Sequence, residues 1–99
     1  MSALGQIIKE AESRGVALGH FNFAEITVLE AAVEAAKELG LPIILGTSES
    51  ERDFIGVPQA VFLIKSFQEA GLPVFLNADH TKSLAKIKEA VEAGYDAVL

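Results

Sequence analysis

The feature that most constrains this chain is an internal repeat of one glycine followed by a short apolar run. Glu38-Leu39-Gly40-Leu41-Pro42-Ile43-Ile44-Leu45 is echoed by Glu69-Ala70-Gly71-Leu72-Pro73-Val74-Phe75-Leu76 and again by Glu92-Ala93-Gly94-Tyr95-Asp96-Ala97-Val98-Leu99. Ser13-Arg14-Gly15-Val16-Ala17-Leu18 is a weaker first copy. The four glycines are spaced by 25, 31 and 23 residues, the length of one β-loop-α-loop unit. Glycine supplies the left-handed position that ends a helix. Pro42 and Pro73 then stop helical propagation and are tolerated at the first residue of a strand. The Ile, Val, Leu and Phe runs that follow lack polar alternation, which suits strands covered on both faces, as in a parallel sheet.

Between these runs the hydrophobic period changes to that of a helix. From Ala24 to Leu39, the residues Ile26, Leu29, Val33 and Ala36 form an apolar stripe opposite Glu30, Glu34, Lys37 and Glu38. A second helix is expected over Val57–Ala70, with Val61, Ile64 and Phe67 inward and Pro58 in its first turn. A third is expected over Ser83–Ala93, with Leu84, Ile87 and Val91 inward, and a leading helix over Ser2–Ser13.

The order is a leading helix and then about three and a half βα units, ending inside a fourth strand. Strict alternation leaves an α/β fold of two kinds, a partial (β/α)8 TIM barrel or an open doubly wound sheet. A doubly wound domain would need at least one more helix to close. The expectation is that residues 1–99 are the N-terminal part of a single barrel domain, truncated in the fourth strand.

Composition narrows the class of function. With 51% hydrophobic and 22% charged residues the chain can bury a core. Its net charge is −6 and its eight Lys and Arg residues form no basic stripe, so no nucleic-acid partner is expected. The absence of cysteine removes disulfides, thiolate nucleophiles and Cys-based zinc sites. The N-terminus lacks the basic and apolar regions of a signal peptide, and no apolar run could span a bilayer. No membrane partner and a cytoplasmic location are expected.

In both candidate folds, function gathers at the carboxyl ends of the strands. Those positions hold Asn22 after the first strand, Thr47-Ser48-Glu49-Ser50-Glu51 after the second, and Asn77-Ala78-Asp79-His80-Thr81-Lys82-Ser83 after the third. Asp79-His80 admits two readings. Imidazole is a good zinc ligand, and a neighbouring carboxylate can move a proton beside a metal-bound substrate. Alternatively, Asp79 or Thr81 caps the helix that starts near Ser83, and His80 is a loop residue. His20, the other histidine, falls within the first strand on the same side as Asn22 and reads as a hydrogen-bonded barrel or core histidine, with a ligand role as the alternative. Lys82 invites a Schiff-base reading but is expected to be exposed in the first turn of the third helix. Ser48 could bind a phosphate or a sugar hydroxyl, or cap a helix. Gly15-Val16-Ala17-Leu18-Gly19 enters a strand, so it is no dinucleotide-binding loop.

In these residues the chain resembles the class II fructose-bisphosphate aldolases, a family that includes tagatose-bisphosphate aldolases. The resemblance runs through Gly19-His20-Phe21-Asn22, Leu41-Pro42-Ile43-Ile44-Leu45-Gly46-Thr47-Ser48-Glu49, Leu76-Asn77-Ala78-Asp79-His80 and Ala90-Val91-Glu92-Ala93-Gly94-Tyr95-Asp96-Ala97-Val98. It implies a (β/α)8 barrel, a divalent metal, usually Zn2+, and reversible aldol cleavage of a phosphorylated sugar. The metal would act as a Lewis acid at the substrate carbonyl and stabilise the enediolate of dihydroxyacetone phosphate. By position, Asp79 matches the family's catalytic acid/base and His80 its first metal-binding histidine. Asn22 matches a substrate-contacting asparagine, and Ser48 a substrate- or phosphate-contacting serine. The resemblance also implies a homo-oligomeric full-length form. Thr81-Lys82-Ser83 departs from the small residue that often follows Asp-His in the family. The remaining metal-binding histidines and main phosphate loops of such a barrel belong to later strands, so the 99 residues alone are expected to be inactive. Two other readings compete: a non-catalytic partial-barrel or partner-binding module, and a metal-free doubly wound domain with strand order 2-1-3-4.

Overall fold

The four repeat glycines do what their spacing predicts. In the computed structural model, which describes residues 2–99, Gly15, Gly40, Gly71 and Gly94 all have positive φ, between 67° and 108°. The elements in chain order are α1 (Ala3–Ser13), β1 (Gly19–Asn22), α2 (Ile26–Leu39), β2 (Ile43–Thr47), α3 (Glu49–Ile55), α4 (Val57–Glu69), β3 (Val74–Ala78), α5 (Leu84–Ala93) and β4 (Ala97–Val98). Gly40 ends α2 at φ 67° and ψ 32°, and its N–H donates back to Ala36 and Lys37 carbonyls. A side-chain-bearing residue adopts this conformation only with strain.

Caps shorten the expected helices at their starts. Ser2 caps α1 through the Gly5 N–H, and the Glu25 carboxylate caps α2 through the Thr27 and Val28 N–H groups. One helix, α3, has no counterpart among the helices expected above, although a helix cap is one of the readings of Ser48. The polar stretch after β2 winds into α3, because Ser48 and Glu51 form a reciprocal capping box.

The four strands are parallel and stand in the order β1-β2-β3-β4. Sequential neighbours exclude the doubly wound order and give a segment of a (β/α)8 barrel. Register pairs Ile43, Leu45 and Thr47 with Val74, Leu76 and Ala78 on the helix-covered face. There they join Leu29, Val33 and Ile64 in the buried core. Truncating such a leucine to alanine costs about 2–5 kcal/mol, so this layer fixes where the strand ends lie. The opposite face carries His20, Asn22, Gly46 and Asn77.

Three residues expected to face inward do not. Leu84 is 81% exposed, and Val91 and Ile26 are also exposed. The chief contacts of α5 are with α4 and β4, so Ala90 is its buried residue and the flank bearing Leu84 and Val91 faces solvent. In α2, the stripe Leu29, Val33 and Ala36 reaches the core, while Ile26 in the first turn overhangs a hollow lined by Phe23, Ile55 and Phe62. No helix of the described residues is long and apolar enough to cross a membrane.

Candidate active site

Asn22, Gly46 and Asn77 are register partners across β1, β2 and β3, so all three positions point to the inner face. His20, one inward position earlier, lies 3.1 Å from the Asn77 amide through its Nε2. The amide nitrogen donates, so Nε2 is the acceptor in this contact. The imidazole reaches Asn77 by passing over Gly46, where an added Cβ would sit 2.6 Å from His20 Nε2. Glycine at position 46 is therefore what allows β1 and β3 to exchange a side-chain contact over β2. His20 makes a hydrogen bond on the inner face, as its place in the first strand predicts, but the residue is exposed and is not a core histidine.

One layer nearer the strand ends, the Asn22 amide donates to Glu51 Oε1 at 3.1 Å and to Asp79 Oδ2 at 3.3 Å. Asn22 and Asp79, both read from sequence as site residues, are brought together. Glu51 was not foreseen as a member, and α3 supplies it. Burial opposes ionisation of Glu51, but hydrogen bonds from the Ser48 N–H, the Asn22 amide and the Ser48 hydroxyl outweigh it. The nearby charge of Asp79 works against them, and the net effect holds the Glu51 carboxyl below its ordinary value. Ser48 lies next to this pair as the cap of α3: its hydroxyl accepts from the Glu51 N–H at 3.3 Å, and its own N–H donates to Glu51 Oε1 at 2.8 Å.

The carboxylate of Asp79 is not a helix cap. Ser83 caps α5 through the Lys86 N–H, which removes the alternative reading of Asp79 and Thr81. The Asp79 side chain is only 18% exposed, whereas that of His80 is 76% exposed, with Nε2 3.7 Å from Asp79 Oδ1. No group of three or more metal-ligating side chains occurs among the described residues. The exposed imidazole of His80 suits a role as one ligand, with the rest of a coordination shell coming from elsewhere. Lys82 is exposed, as expected, but lies in the loop before α5 and not in the first turn of that helix; its N–H donates to Glu49 Oε1 at 2.7 Å.

Beneath the site lies Arg52 of α3, which is 2% exposed. Its guanidinium donates to the carbonyls of Thr47 and Asp79 and to the Thr81 hydroxyl. Beside it, Thr47 Oγ1 and Tyr95 Oη are 2.9 Å apart and buried. Burial pushes the Tyr95 phenol up, against the opposing effects of the Thr47 bond and the Arg52 charge. Nothing in the sequence marked Arg52 or Tyr95. A signal for α3 was present in Ser48-x-x-Glu51, the capping-box pattern.

Sequence comparison decides what this strand-end cluster belongs to. Residues 2–99 match the family described as Fructose-bisphosphate aldolase class-II. The chain belongs to that family. Among its relatives, the fructose-bisphosphate aldolase of Helicobacter pylori (strain ATCC 700392 / 26695) is 32% identical over 96 residues, covering 95% of this chain and 31% of the relative. That of Staphylococcus epidermidis (strain ATCC 12228 / FDA PCI 1200) is 29% identical over 101 residues, covering 98% and 35%. The fold is also that of the YdjI aldolase from Escherichia coli K12, with a TM-score of 0.86 at 21% identity over 98% of this chain and 38% of that one. Fructose-bisphosphate aldolase from Campylobacter jejuni superposes with a TM-score of 0.80 at 26% identity, covering 90% and 30%. The chain spans about a third of the length of the curated relatives it matches.

Within this aldolase family segment, Asn22, Ser48, Asp79 and His80 all lie where β1, β2 and β3 end, at the face where barrel enzymes place their chemistry.

Proposed function

We propose that the full-length protein containing these residues is a metal-dependent aldolase acting reversibly on a ketose 1,6-bisphosphate. The substrate of choice is fructose 1,6-bisphosphate, cleaved to dihydroxyacetone phosphate and glyceraldehyde 3-phosphate. Tagatose 1,6-bisphosphate differs at one stereocentre and is the alternative within the same chemistry. The observation that carries the reading is the contact between Asn22 and Asp79 at the strand ends, beside the exposed His80.

Asp79 takes the proton of the substrate's C4 hydroxyl as the C3–C4 bond breaks. The hydroxyl oxygen becomes the aldehyde, and the bonding pair stays with the three-carbon fragment, which takes up a proton at the former C3 to become dihydroxyacetone phosphate. Asn22 orients the Asp79 carboxylate through its amide and lies within reach of substrate oxygens. Ser48 contributes a further substrate contact from the start of α3. His80 supplies one metal ligand. A divalent metal, Zn2+ by preference, supplies Lewis-acid polarisation of the ketose carbonyl when bound. The isolated 99 residues have one such histidine at the site and do not turn over.

The test is cleavage of fructose 1,6-bisphosphate by the full-length protein before and after exhaustive chelation. Activity lost on chelation and restored by zinc is the expected result. Undiminished turnover in the metal-free protein, or zinc-dependent turnover by the isolated 99 residues, contradicts the reading.

A further inference from the structure

A buried guanidinium ordinarily faces a carboxylate, because hydration must be replaced by charge and hydrogen bonds. Arg52 is buried and takes part in none of the ion pairs among the described residues. Its partners are the carbonyl of Thr47, the carbonyl of Asp79 at 3.4 Å and the hydroxyl of Thr81 at 3.1 Å. Two of these three partners flank His80.

His80 is the one non-glycine among the described residues with positive φ, at 46°. Such a conformation persists where surrounding contacts over-determine it. Those contacts converge from the end of β2, from α3 and from Leu99 after β4, whose carbonyl accepts from the Thr81 N–H at 2.6 Å. The Asp79 N–H donates to the Thr47 carbonyl at 2.9 Å, the same oxygen that Arg52 holds. The Lys82 N–H is held by Glu49, one helical turn from Arg52. The short helix α3 thus grips the turn after β3 from both sides of His80.

We propose that Arg52 is a positioning residue for the Asp79-His80 turn. Its planar fork spans acceptors on both strand ends at once, fixing the height of the Asp79 carboxylate and the direction of the His80 ring. A lysine, as a single point of charge, could hold one acceptor but not the set. The inference rests on Asp79 and His80 being the reacting end of the site, and it predicts that the turn loosens without the fork even when no substrate is present.

The experiment uses the full-length protein with Arg52→Met, Arg52→Lys and Thr81→Val. Amide hydrogen exchange across residues 79–82 is expected to accelerate about tenfold or more in Arg52→Met, with the β2 and β3 core amides unchanged. kcat is expected to fall about tenfold to a hundredfold with KM within about threefold, the pattern of a misplaced reacting group. Arg52→Lys should fall between parent and Arg52→Met. Thr81→Val removes one acceptor and leaves the guanidinium in place, so it decides the matter if Arg52→Met fails to fold. An acceleration of about threefold at residues 79–82 is expected there. Exchange at residues 79–82 unchanged in the folded variants, or accelerated equally throughout the chain, overturns the proposal. Asp79→Asn, assayed alongside, separates the two readings. If its kcat is that of the parent, the assignment of the reacting end fails, while the exchange data still judge the role of Arg52.

Discussion

Asn22 Nδ2 lies 3.3 Å from Asp79 Oδ2, tying the end of β1 to the turn after β3 across 57 residues of sequence. The same nitrogen lies 3.1 Å from Glu51 Oε1, so one amide separates two carboxylates. This is a positional device as much as a hydrogen bond. It holds Asp79 at the strand ends while keeping a second negative charge from meeting it directly.

Replacing that donor with a third carboxylate should therefore be costly. Asn22→Asp is expected to destabilise the full-length protein by about 2 kcal/mol at neutral pH, since two acceptors lose their donor and gain a repelling charge. Acidification neutralises the added carboxyl and should recover part of the loss. Urea unfolding at neutral and mildly acidic pH measures both effects.

Glu51 makes a separate prediction about acid. Its carboxyl is held below the ordinary value of 4.5, because burial, which opposes its charge, is outweighed by the bonds from Ser48 and Asn22. Below that ordinary value the unfolded chain binds more protons than the folded one, so stability rises with pH through this window. The contribution is present above 4.5 and is lost as pH falls through the depressed folded value. Thermal unfolding of Glu51→Gln across this range should show a flatter acid limb than the parent. An identical limb would mean that the Ser48 and Asn22 bonds do not favour the ionised form.

Much of this architecture was legible in the sequence, for local reasons. The glycines at 40, 71 and 94 mark helix ends because a left-handed backbone selects for them, and the continuous apolar runs after the first two mark buried parallel strands. The strand-end positions of Asn22 and Asp79 followed from that alternation. What stayed hidden depends on distant partners. Arg52 has no local signature, since its acceptors at Asp79 and Thr81 are supplied by another unit. The stripe of α5 misled because periodicity reports which residues share a face and not whether a neighbour covers it, and Leu84 remains in solvent. The capping box of α3 was readable, but it lay in a segment whose polarity was already explained by its place after a strand.

Gly46 tests the interior layer. In Gly46→Ala the new methyl would displace the His20 ring, which can rotate away, so the loss should be that of the His20–Asn77 bond. A destabilisation of about 1 kcal/mol is expected, the net worth of one hydrogen bond. In a His20→Ala background, the same substitution should cost markedly less. Chemical denaturation of the parent, the two single variants and the double variant checks this, and strict additivity would contradict the crowding.

The most direct test of the central claim is kcat for fructose 1,6-bisphosphate cleavage by full-length Asp79→Asn, with bound metal quantified in the same sample. If Asp79 moves the C4 hydroxyl proton, kcat falls by about 10²- to 10⁴-fold while the metal is retained. A kcat within about threefold of the parent in the metal-loaded variant, too small a change for a lost general base, would contradict the account.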